Sequence, residues 1–103
     1  MRSPPAGRQG ALLSLRLYVA GESPNSALAK ANLNAALAHL PKSELTLEVI
    51  DVLCHPERGL ADGVLVTPTL IRLVPTPEQR VIGNLRDRSA LLAGLGFEEV
   101  QGE

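Results

Sequence analysis

Leu13, Leu15, Leu17 and Val19 occupy alternate positions with Ser14, Arg16 and Tyr18 between them, and this period of two predicts a strand over Leu12–Ala20. Gly21-Glu22-Ser23-Pro24-Asn25 then reads as a turn, with Ser23 capping a helix and Pro24 filling its first position. The helix is expected from Pro24 to about His39, with Ala29, Leu33, Ala36, Leu37 and Leu40 as its apolar stripe and Pro41 just past its end. Leu45–Leu53 predicts a second strand. Towards its end it is almost wholly apolar, the pattern of a strand covered on both faces. Strand, helix and strand make a βαβ unit with parallel strands.

The second half is more broken. His55–Gly63 leaves room for only a short helix, opened by Pro56 and weakened by Gly59 and Gly63. Thr69–Val74 predicts a strand, Pro75-Thr76-Pro77 a turn, and Arg80–Ile82 a short strand ended by Gly83. Asp87 caps a last helix bearing Leu91, Leu92 and Leu95. A βαβ unit followed by a helix, a β-hairpin and a helix is the order of a thioredoxin-like domain, so the expected fold class is a single α/β domain of that type. A proline opening the third strand of that fold is commonly cis, which makes Pro68 the structural candidate. Residues 1–11, rich in Pro, Gly and Arg, read as a flexible leader, and 12–103 as the domain.

Composition narrows the function. The chain has 103 residues, 45% of them hydrophobic and 20% charged, which suits one folded domain and not a disordered segment. A formal net charge of -1, one Tyr, one Phe and no Trp supply neither a basic field nor stacking platforms, so nucleic acid is excluded as an expected partner. No segment approaches the ~20 apolar residues that cross a bilayer, and no signal peptide is apparent. With a single cysteine, Cys54, no intrachain disulfide can form, and the expected location is the cytoplasm.

Candidate chemistry is sparse. A thioredoxin-like redox enzyme needs a Cys-x-x-Cys pair after the first strand, and Gly21–Ser26 contains no cysteine. Cys54 and His55 are adjacent, but neighbours in a strand point to opposite faces, which favours a buried or half-buried thiol over a thiolate–imidazole pair. His39 and His55 lie on different elements, and no glycine-rich phosphate loop occurs, so no catalytic, cofactor or metal site is expected. Glu78, Arg80, Arg86, Asp87 and Arg88 gather late in the chain, as a solvated surface or a docking surface.

Three blocks carry a resemblance. Leu17-Tyr18-Val19-Ala20-Gly21-Glu22-Ser23-Pro24-Asn25-Ser26, Val49-Ile50-Asp51-Val52, and Leu65–Leu70 running on through Pro75 to Arg80–Leu85 are similar, in content and spacing, to the KaiB family of bacterial circadian clock proteins. The resemblance implies a non-enzymatic regulator that binds a KaiC-like ATPase hexamer and modulates its phosphorylation and ATPase cycle. It further implies two accessible folds, a thioredoxin-like monomer and a form rearranged in its second half that assembles as a homo-oligomer, a dimer or tetramer. By position in the family's switching and docking region, the candidate partner-binding residues are Asp62, Gly63, Arg80 and Gly94. The chain departs from cyanobacterial members at Leu45, Glu48, Gly63 and Gly96. A second reading is a KaiB-like sensory or interaction domain associated with a histidine kinase or a stress response, without timekeeping. A redox enzyme using Cys54 alone ranks last.

Overall fold

In the computed structural model, which describes residues 12–97, the alternation of the first segment becomes β1 (Leu13–Val19), the strand on which everything else is placed. Ser23 caps α1 (Pro24–Leu37), its Oγ accepting from the Ser26 amide. A 3-10 turn at Lys42–Glu44 leads into β2 (Leu45–Asp51). The second half supplies α2 (Pro56–Ala61), β3 (Thr69–Val74), β4 (Gln79–Ile82) and α3 (Arg88–Leu95). The Asp87 carboxylate accepts from the Ala90 amide at the start of α3, as its position suggested. The leader expected over residues 1–11 lies outside the described residues.

The strands form one sheet in the order β2-β1-β3-β4, with β1 and β2 parallel and the other pairs antiparallel. Period two along β1 then divides the molecule. Leu13, Leu15, Leu17 and Val19 face α1 and α3, packing with Ala29, Leu33, Ala36, Leu37, Leu70, Leu85, Leu91, Leu92 and Leu95 in the main core. Tyr18 faces the other way, into a smaller cluster with Ile50 and Ile71 beneath α2. Thr67–Pro68, at the entry to β3, is cis as expected, and the Val74–Pro75 and Thr76–Pro77 bonds are cis as well.

Two expectations change. The strand order puts β2 at the edge of the sheet, so it is not covered on both faces: Val49 is 46% exposed and Leu53, in the turn beyond, 71%. The apolar run that suggested cover on both faces instead leaves hydrophobic surface open. Cys54 is exposed in the same turn, neither buried nor half-buried, because β2 ends at Asp51.

Candidate functional site

On the α2 face, in-register pairing lines up Glu48 of β2, Arg16 of β1, Ile71 of β3 and Arg80 of β4 in one row across the sheet. Tyr18 stands two residues along β1 on the same face. Above this row lies α2, only six residues long, whose one buried residue is Gly59. A Cβ at Gly59 would come 3.2 Å from Val52 Cγ1, so the absent side chain is what lets the helix approach β2 closely.

Polar side chains from the strands then converge on the C-terminal half of α2. The fully buried Tyr18 hydroxyl shares its proton between the Asp62 carboxylate and the Arg58 carbonyl oxygen, 3.1 Å away. Arg16 Nη1 donates to the same Asp62 oxygen at 3.0 Å, while its Nε reaches Glu48 at 3.3 Å. Glu48 also receives Arg58 Nη2 at 3.0 Å. From the far side, Arg80 donates to the carbonyl oxygens of Asp62 and Gly63 and pairs with Glu78 at 2.9 Å. Signs alternate along Arg58, Glu48, Arg16 and Asp62, so each charge has an opposite neighbour.

The electrostatics follow from this wiring. The Tyr18 hydrogen bond, followed by Arg16, holds the Asp62 carboxyl below the usual carboxylate range against the opposing effect of burial. Burial, reinforced by the Asp62 carboxylate, pushes the Tyr18 hydroxyl up to about 12. Glu48 raises Arg58 above its ordinary value. These groups are locked in single charge states across the neutral range, which suits a structural scaffold and does not supply a proton-transferring pair.

Beside α2 runs a groove of about 350 Å³ lined by Val52, Pro56, Gly59, Leu60, Val64 and Leu65, among others. Its rim is apolar and open, with Leu60 79% exposed and Leu65 93% exposed. Asp62, Gly63 and Arg80 form one cluster that adjoins the groove in sequence through Val64, although the Asp62 carboxylate points inward to Tyr18 and Arg16. Gly94 stands apart on the opposite face of the sheet, where an added Cβ would lie 2.3 Å from Val81 Cγ2. Reading Arg16 and Tyr18 simply as the polar side of a strand missed that they anchor α2. The available signal was their spacing of two, which puts an arginine and the chain's only tyrosine on one face.

The turn that would carry redox cysteines holds hydroxyls instead. Ser26, fully buried, accepts from the Ala20 amide at 3.1 Å and from Ser23 Oγ at 2.8 Å, tying β1 to the start of α1. Asp51 closes the neighbouring turn by accepting from the amides of Gly21 and Leu53, which hold its carboxyl below the ordinary range. Cys54 Sγ lies 3.8 Å from Asp51 Oδ2, and His55 pairs with Glu57 at 3.7 Å. Among the described residues no cluster of three potential metal ligands occurs, and no helix is long and apolar enough to cross a membrane.

Comparison with known proteins places these features. The chain is 43% identical over 90 residues to the circadian clock oscillator protein KaiB of Prochlorococcus marinus (strain MIT 9211), covering 85% of this chain and 79% of that one. The solution structure of the N-terminal domain of Synechococcus elongatus SasA superposes with a TM-score of 0.67 at 28% identity, covering 98% of this chain and 97% of that domain. Mitochondrial thioredoxin 3 from Saccharomyces cerevisiae shares the fold with a TM-score of 0.68 at 16% identity, covering 84% of this chain and 78% of that one. The KaiB domain matches residues 16–97, a span that includes Arg16, Tyr18, Glu48, Arg58, Asp62 and Arg80, and the chain belongs to the KaiB family.

Proposed function

We propose that this chain is a clock-type regulatory protein, without catalytic activity of its own, that docks on a KaiC-like ATPase hexamer in the cytoplasm and modulates its phosphorylation and ATPase cycle. The observation that carries the reading is the family match, which runs through both halves of the fold. The shape of the α2 face supports it. An open apolar rim at Leu60 and Leu65 beside the Arg80 cluster is suited to a partner surface, with a hydrophobic centre and a polar border. On this reading Gly63 and Arg80 border the contact directly, and Asp62 contributes through its backbone carbonyl and its hold on α2. Gly94 acts from the other face by letting α3 lie close on β4. The second half is also where a rearranged homo-oligomeric form, dimer or tetramer, would differ.

The test is sedimentation velocity of the purified protein, alone and with the KaiC-type ATPase of the same genome plus ATP. Co-migration with the ATPase ring supports the reading, and no complex in any nucleotide state rejects it. A second reading rests on the near full-length likeness to the SasA domain: an interaction module that serves a histidine kinase or a stress response without timekeeping. Binding to the kinase in place of the ATPase would favour it.

A further inference from the structure

A helix of six residues does not persist on its own, and α2 buries only a glycine, so packing of its side chains cannot fix its direction. What remains is the set of polar links from the sheet. Five of them end on residues 58 and 62: the Tyr18 hydroxyl on the Arg58 carbonyl and the Asp62 carboxylate, Arg16 on the same carboxylate, Glu48 on the Arg58 guanidinium, and Arg80 on the Asp62 carbonyl. Leu60 lies between these two anchored residues and Leu65 three positions after the second, so the direction of the apolar rim is inherited from the anchors.

We infer that Tyr18 and Arg16 are positioning residues for the α2 surface, acting through the Asp62 carboxylate to fix the orientation in which Leu60 and Leu65 are presented. Neither residue needs to touch the partner. Tyr18 has no exposed surface, and the Arg16 guanidinium is engaged on both sides. The inference rests on the docking reading above for its consequence in binding, but its structural part stands independently.

The experiment uses Tyr18→Phe and Arg16→Met in the full chain. Hydrogen exchange of the amides of Asp62, Gly63 and Val64, bonded to the carbonyls of Arg58, Leu60 and Gly59, reports the closure of α2, and amides of β1 and β3 report the main core. Both variants are expected to speed exchange in 62–64 about tenfold, the scale of one lost hydrogen bond, with β1 and β3 unchanged. Affinity for the KaiC-type ATPase should fall by a similar factor, and Asp62→Asn, whose amide oxygen still accepts from Tyr18, should fall between wild type and Tyr18→Phe. Unchanged exchange in 62–64, or acceleration spread evenly over the core, overturns the inference. If the wild-type chain binds no ATPase while the exchange pattern holds, the docking reading fails and the anchoring of α2 survives. If exchange loosens but affinity is kept, the positioning role is refuted.

Discussion

Raising the pH tests the Tyr18 anchor with an internal probe, because Tyr18 is the only tyrosine in the chain. In the native protein its hydroxyl is pushed from 10.0 to about 12, first by burial and then by the carboxylate that receives its proton. Removing that proton would place a phenolate with no exposed surface of its own against Asp62. Two pH units correspond to about 2.7 kcal/mol of preference for the neutral form, partly offset by the guanidinium groups of Arg16 and Arg58 already included in the shift. Between the two values the unfolded chain has lost the proton and the folded one keeps it, so stability falls as pH rises through this window, by at most about 1.4 kcal/mol per unit. Below 10.0 the contribution is complete. Tyrosinate absorbance read within the dead time of a rapid pH jump gives the native midpoint, and urea midpoints between about pH 9 and 11 give the slope. Tyr18→Phe should flatten that slope, and Asp62→Asn should bring the midpoint part of the way back towards 10.0. A native midpoint near 10.0, with stability indifferent to pH in that window, would falsify the description of Tyr18 as a buried donor to Asp62.

Three further outcomes are expected. Gly96 ends α3 at φ 91°, and a Cβ there would meet Arg72 Nη1 at 2.6 Å, so Gly96→Ala should cost about 2 kcal/mol in chemical denaturation through left-handed strain and a displaced buried guanidinium. In an Arg72→Ala background the same change should cost about 1 kcal/mol, the strain alone, and equal costs in both backgrounds would remove Arg72 from the account. Ser26→Ala strips the acceptor from the half-buried Ala20 amide and should destabilise by about 1 kcal/mol, measured as a lowered urea midpoint. Cys54→Ser alters an exposed thiol and should leave stability within about 0.5 kcal/mol and ATPase binding unchanged; loss of binding would assign the thiol a role.

Local chemistry made much of the fold readable. Ser23-Pro24 and Asp87 carry their caps in the residues themselves, and the strand over Thr69–Val74 begins and ends where alternation and proline said it would. The edge position of β2 was not readable, since an apolar run looks the same whether helices cover it or a partner does. The Lys42–Glu44 turn lacked any signal stronger than its proline. At the candidate site, Asp62, Gly63 and Arg80 were named by resemblance, and the structure brings them into contact. The links from Asp62 to Tyr18 and Arg16 span 44 and 46 residues of chain and depend on sheet register, which no local pattern encodes. The packing role of Gly59 was hidden for the same reason. The short helix expected after Pro56 is there, and Gly59, read only as weakening it, is what admits it against Val52.

The two faces of the sheet are held by different forces, and dissolved ions act on them in opposite directions. Leucine burial under α1 and α3 is strengthened by salts that are excluded from protein surfaces. The links among Arg58, Glu48, Arg16 and Asp62 are partly exposed charge pairs, which the same ions screen over a Debye length of about 8 Å at physiological strength. A rise in ionic strength therefore firms one side of the molecule as it loosens the other. The hold of the sheet on α2, and with it any binding through the docking surface proposed above, becomes a quantity that the ionic composition of the surrounding medium can tune.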